Sequence, residues 1–190
     1  MLRRFSFCFL VFLLLTLDTA SSCEKPQDIW LELAVSIREG KQSSLICLTD
    51  YVDLNSFDPT DIWEKSPLHI AAEFNQIPIA NLLLEMGADI NILNALGETP
   101  LKVAVKNDLN DMAAVLVFNG ADIENPDSEG RTILFWAIAR ENPSLVNLLL
   151  AHKANLMQKI QISGKQLSLK EFALQMQNKL INNLVNGVKI

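Results

Sequence analysis

Residues 61–93 read DIWEKSPLHIAAEFNQIPIANLLLEMGADINIL, and two stretches of equal length follow in step. These are 94–126, NALGETPLKVAVKNDLNDMAAVLVFNGADIENP, and 127–159, DSEGRTILFWAIARENPSLVNLLLAHKANLMQK. Pro67, Pro100 and Ile133 share one register position. Further along, Leu82-Leu83-Leu84, Val115-Leu116-Val117 and Leu148-Leu149-Leu150 keep the same beat. So do the closing triplets Gly87-Ala88-Asp89, Gly120-Ala121-Asp122 and Lys153-Ala154-Asn155. A fixed period of this length describes a stack of small units that bury their apolar faces against one another. Such a stack has a long surface and no built-in pocket, which favours binding over catalysis.

The individual positions have physical reasons. Thr99 and Thr132 stand where a side-chain oxygen can cap a helix start. Pro67 and Pro100 stand at the first helical residue, where a missing N–H costs nothing. Ala71, Ala104 and Ala137 are small where neighbouring helices meet, and Gly87 and Gly120 suit a left-handed C-terminal turn. Glu64, in place of glycine, predicts a distorted turn before the first full unit. Ile133, Phe135, Trp136 and Lys153 predict a less regular third unit with a bulkier core, Trp136 within it.

Ser66-Pro67-Leu68-His69-Ile70-Ala71-Ala72 resembles the TPLHLAA signature of ankyrin repeats, and Leu82 to Asn91 resembles the LLLxxGADVN that closes them. The resemblance implies an all-α solenoid of paired antiparallel helices joined by β-hairpin-like loops, with four to five repeats. The expected division is a signal peptide over 1–22, a linker over 23–28 and a diverged N-terminal capping repeat over 29–60. Repeats over 61–93, 94–126 and 127–159 and a C-terminal capping repeat over 160–190 follow. The last segment reads as helix broken at Asn182-Asn183 and Gly187.

Residues 1–22 read as an export signal. Arg3 and Arg4 precede an apolar run from Phe5 to Leu17, and Thr19-Ala20-Ser21-Ser22 supplies small residues for cleavage. The run is shorter than the about 20 apolar residues a membrane-spanning helix needs. Ala20-Ser21-Ser22-Cys23 resembles a bacterial lipoprotein box, which makes Cys23 a lipidation candidate. Two outcomes stay open. A lipidated Cys23 leaves Cys47 a lone thiol, whereas an unmodified Cys23 can pair with Cys47 after export. Localisation is therefore expected to be exported and periplasmic, with a lipid on Cys23 as the one route to a membrane.

The net charge of −6, the missing basic run and the single tyrosine argue against nucleic acid. His69 and His152 are the two histidines. No His, Cys or carboxylate set stands at metal-ligand spacing, and no phosphate loop or nucleophile elbow occurs. No catalytic residue, cofactor or metal is expected.

In the family, partners are gripped by loop tips and the exposed face of each first helix, on the concave side. By register this places partner-binding candidates at Ile62, Trp63, Lys65, Glu73, Phe74, Leu96, Glu98, Lys106, Asn107, Glu129, Arg131 and Arg140. Ile62, Trp63, Phe74 and Leu96 are apolar where a solvated solenoid carries polar groups. Arg131 and Arg140 are candidates for charge-assisted contacts. The expected partner is another protein, a toxin or an enzyme. A small exported chain of this design resembles immunity proteins that block a secreted antibacterial toxin such as a type VI phospholipase. The alternatives are a periplasmic scaffold for an enzyme and a secreted host-directed effector.

Overall fold

The structure is a computed structural model that describes residues 26–187 apart from residue 163. The export signal and Cys23 lie outside the described residues. Each 33-residue unit folds as two short helices and a projecting finger loop. In chain order the helices are α1 (Ile29–Arg38), α2 (Gln42–Leu48), α3 (Pro67–Glu73), α4 (Ile77–Glu85), α5 (Pro100–Lys106), α6 (Asn110–Phe118), α7 (Ile133–Ala139) and α8 (Pro143–Ala151). A hairpin, β1 (Lys159–Ile162) and β2 (Lys165–Ser168), leads into α9 (Leu169–Gln175) and α10 (Lys179–Gly187). The two strands are antiparallel, with Ile160 opposite Leu167.

The helices form two rows. First helices pack in the series α1, α3, α5, α7, α9, and second helices in the series α2, α4, α6, α8, α10. Between the rows runs one continuous seam. Leu68, Leu101 and Leu134 are buried at one register position, Leu83, Leu116 and Leu149 at another, and Ala71, Ala104 and Ala137 where first helices approach. Burial of each leucine stabilises by about 1.5–3 kcal/mol. A single unit alone would have no such seam, so each repeat depends on its neighbours.

The helix starts largely follow the expected chemistry. Ser66 accepts from the His69 N–H and Thr99 from the Lys102 N–H. Thr132 does not cap; its hydroxyl donates instead to Gln158 at 2.9 Å, tying the helix start to the residue just before β1.

Two expected irregularities are corrected. Glu64 adopts φ 48°, close to Gly97 at 66° and Gly130 at 75°, so its turn keeps the common shape. What it loses is one closing bond. Asn94 and Asp127 donate to the carbonyls of Glu98 and Arg131, whereas the Asp61 N–H turns to Asp58. Lys153 likewise takes φ 65°, in the left-handed region of Gly87 and Gly120, and the third helix pair ends as the others do. The third core is bulkier, as expected. Phe135 is buried and stacks on Phe172 at 5.2 Å. Trp136, however, is half-buried at the core's edge with the Arg131 guanidinium 4.6 Å from its ring centre.

In the last unit the helix breaks at 176–178 rather than at Asn182-Asn183. Asn178 Oδ1 accepts from the N–H groups of Leu180 and Ile181 and so starts α10, while the Asn182 amide folds back to the Met176 carbonyl. Asn182 is thus spent inside a helix and not at its end.

Candidate interaction face

Three fingers carry the candidate site, and an Asp or Asn at period 33 shapes them. Asp61 accepts from the N–H groups of Trp63 and Lys65, Asn94 from those of Leu96 and Glu98, and Asp127 from those of Glu129 and Arg131. Each side chain holds the groups two and four residues on, which is what Asp and Asn do in tight turns. Sequence reasoning missed this trio, although Asp61, Asn94 and Asp127 stand in register. The first two fingers are also joined directly, the Ala95 N–H donating to the Trp63 carbonyl at 3.0 Å.

This turn chemistry faces the backbone inward and turns the next side chains out. Ile62 is 78% exposed, Leu96 53% and Trp63 43%. The Ala95–Trp63 bond holds the two fingers that carry them side by side, so they form an apolar crest across both. Lone exposed apolar residues are ordinary, but three that share a hydrogen-bonded ridge and include a tryptophan are a typical anchor for a partner.

Below the crest the charges neutralise one another. Lys65 meets Glu73 at 2.8 Å, and Lys106 meets Glu98 at 2.7 Å. The order is reversed between the two units: the finger residue is the cation in one and the anion in the next. Glu98 is 8% exposed. It was expected as an open tip residue; its side chain instead reaches back to Lys106 and is covered. Its carbonyl accepts from His69 Nε2–H at 2.8 Å, while His69 Nδ1 accepts from the Ser66 N–H. That arrangement needs a neutral ring, and burial indeed pushes the His69 pKa below the ordinary value. In the third unit Ala139 takes the place of Glu73 and Lys106. Arg131 therefore turns to Asp127 and Glu129 and covers Trp136. Burial raises the Asp127 pKa, but the hydrogen bonds from Arg131 and from the Glu129 N–H outweigh it and hold the carboxyl low.

The remaining candidates sit elsewhere. Phe74, Asn107 and Arg140 end the first helices of their units, at the turns into the second helices. Phe74 is half covered by the Arg38 guanidinium, 4.6 Å from the ring centre, and Arg140 bridges to Asp108 at 2.7 Å. Asn142 donates to Asn110 and Asn178 to Glu141 along the same line. These bonds zip successive turns together. The structure thus gathers Ile62, Trp63, Lys65, Glu73, Leu96, Glu98 and Lys106 into one region, with Glu129 and Arg131 on the next finger. Phe74, Asn107 and Arg140 form a separate row, and Arg131 and Arg140 already have anionic partners.

On the far side of the units a third line of bonds joins the repeats. Asn55 accepts from the Asp89 N–H, Asn91 from the Asp122 N–H and Glu124 from the Asn155 N–H, at 2.7–2.8 Å. Cys47, half-buried on α2, is disulfide-bonded, so it is not a lone thiol. Among the described residues no three His, Cys, Asp or Glu side chains gather as a metal site, and no helix is long and apolar enough to cross a membrane.

Comparison with known proteins agrees with this architecture. A family model described as ankyrin repeats (3 copies) matches residues 31–127 and 68–160. The chain is 35% identical over 92 residues to the ARF GTPase-activating protein Git of Drosophila melanogaster, covering 48% of this chain and 12% of that protein. It is 37% identical over 88 residues to the probable E3 ubiquitin-protein ligase XBOS33 of Oryza sativa subsp. japonica, covering 46% and 17%. It is 29% identical over 129 residues to the human transient receptor potential cation channel subfamily A member 1, covering 67% and 11%. The chain thus spans under a fifth of the length of these relatives. With the period, the finger turns and the two helix rows in place, the chain belongs to the ankyrin-repeat family, whose stacked helix pairs are protein-interaction modules.

Proposed function

We propose that this module is exported and holds a protein partner against the crest of Ile62, Trp63 and Leu96. The observation that carries the reading is the exposure of these three side chains on fingers held rigid from beneath. Rigid presentation lowers the entropy cost of binding, so a small apolar crest suffices to anchor a partner. The exported setting rests on residues 1–22 and is supported by the disulfide at Cys47, since such bonds persist in oxidising compartments. The chain's two other cysteines are Cys8 and Cys23. We propose Cys23, once the signal is removed, as the partner of Cys47; a sulfur in a disulfide carries no lipid. We therefore favour a soluble exported form over a lipid-anchored one. Inhibition of a secreted toxin, in the manner of an immunity protein, is the specific role we propose. It rests on the exported setting and the binding face together, not on the relatives, which are animal and plant proteins.

Affinity capture from the native compartment, repeated with Trp63→Ala, tests the reading. The expected result is a discrete protein recovered with the parent chain and lost with the variant, whose helical circular dichroism stays unchanged. Equal recovery by both would overturn the assignment to the crest.

A further inference from the structure

Three acidic residues stand beside the crest. Asp58, Asp61 and Glu64 flank Ile62 and Trp63, and none of the three makes an ion pair among the described residues. Lys65, Lys106 and Arg131 are engaged: Lys65 by Glu73, Lys106 by Glu98 and Arg131 by Asp127 and Glu129. The first finger therefore presents apolar side chains beside carboxylates that have no cationic partner among the described residues. Building on the reading above, we propose that the crest receives a protein segment whose apolar side chain is flanked by lysine or arginine.

The physical reasons are additive. An apolar plug removes Ile62, Trp63 and Leu96 from water, a gain that does not depend on charge. Closing that contact also brings the partner's flanks within a Debye length, about 8 Å at physiological ionic strength, of three carboxylates. An acidic flank is repelled there and a basic one attracted, so these carboxylates select the partner while the crest holds it. Asp58 and Asp61 spend their oxygens on local turns, Asp58 on Thr60 and Asp61 on Trp63 and Lys65. Their positions are consequently fixed, and the negative field needs no side-chain ordering when a partner arrives.

The test uses a random 12-residue peptide library displayed on phage, selected on the disulfide-intact chain. Two variants decide it. Asp58→Asn/Asp61→Asn/Glu64→Gln removes three charges and keeps the turn, because Asn94 holds the same turn in the second finger. Ile62→Ser/Trp63→Ala/Leu96→Ser removes the crest. The proposal expects enriched peptides with an apolar residue between basic ones, binding tenfold or more weaker to either variant, and losing affinity as salt rises. Enriched peptides that are acidic or uncharged, or that bind the charge-neutral variant equally, overturn the charge assignment while leaving the crest in place. Peptides indifferent to the crest variant, or no enrichment over it, overturn both. Sedimentation that shows a dimer abolished by the crest variant would assign the surface to a second copy of this chain instead.

Discussion

Lys153 offers a quantitative test of how the repeats end. It occupies the position of Gly87 and Gly120 and shares their left-handed backbone, at φ 65°. A side chain at Gly87 or Gly120 would meet nothing within 4 Å. The demand at this position is therefore on the backbone angle and not on space. An L-residue in that region costs about 1–2 kcal/mol, and glycine returns about 0.4–1 kcal/mol of this through its freer unfolded chain. Lys153→Gly also removes a cation near the end of α8, which contributes about 0.3–1 kcal/mol at such a site. Lys153→Ala loses the same charge and keeps the strained angle, so it is the proper reference. Lys153→Gly is expected to be more stable than Lys153→Ala by about 0.5–1 kcal/mol, or about 1–4 °C in Tm for a chain of this size. Urea unfolding followed by circular dichroism at 222 nm measures the difference. Equal stability of the two variants, or a more stable alanine variant, would refute the backbone argument.

Three further outcomes follow from the structure. Burial favours the neutral ring of His69, so between the ordinary value near 6.5 and its lowered folded value the unfolded chain binds more protons. Stability should thus fall as pH drops through that window, and the slope should flatten in His69→Gln when thermal midpoints are compared from pH 7.5 downward. Asn91→Ala removes the acceptor for the Asp122 N–H and should cost about 0.5–1.5 kcal/mol in urea titration. Reducing the disulfide at Cys47 should cost about 2–4 kcal/mol, read as a lower urea midpoint with dithiothreitol than without.

The period of 33 made the stack legible, because buried leucines and alanines at fixed intervals have one sensible packing. Glu64 and Lys153 misled because the rule that places glycine there concerns a backbone angle, and a polar residue in open space can adopt that angle at modest cost. The sequence shows a non-glycine residue but not the room around it. Thr132 misled for a different reason: its hydroxyl is drawn away by Gln158, 26 residues on, a competition that no local pattern records. Within the candidate face, exposure at Ile62 and Leu96 was readable from register. The engagement of Glu98, Arg131 and Arg140 was not, since it depends on which opposite charge the fold brings near. Asp61, Asn94 and Asp127 were readable in principle, through their shared register and the habit of such residues to fold back on the chain.

A rod of identical steps would let a long visitor settle in several phases, each one step from the next. Lys65 and Glu73 in one unit, answered by Glu98 and Lys106 in the following one, deny that freedom. A visitor that slides by a single step finds the sign reversed at both places. The sign reversal thus indexes the surface, giving a repetitive scaffold one address.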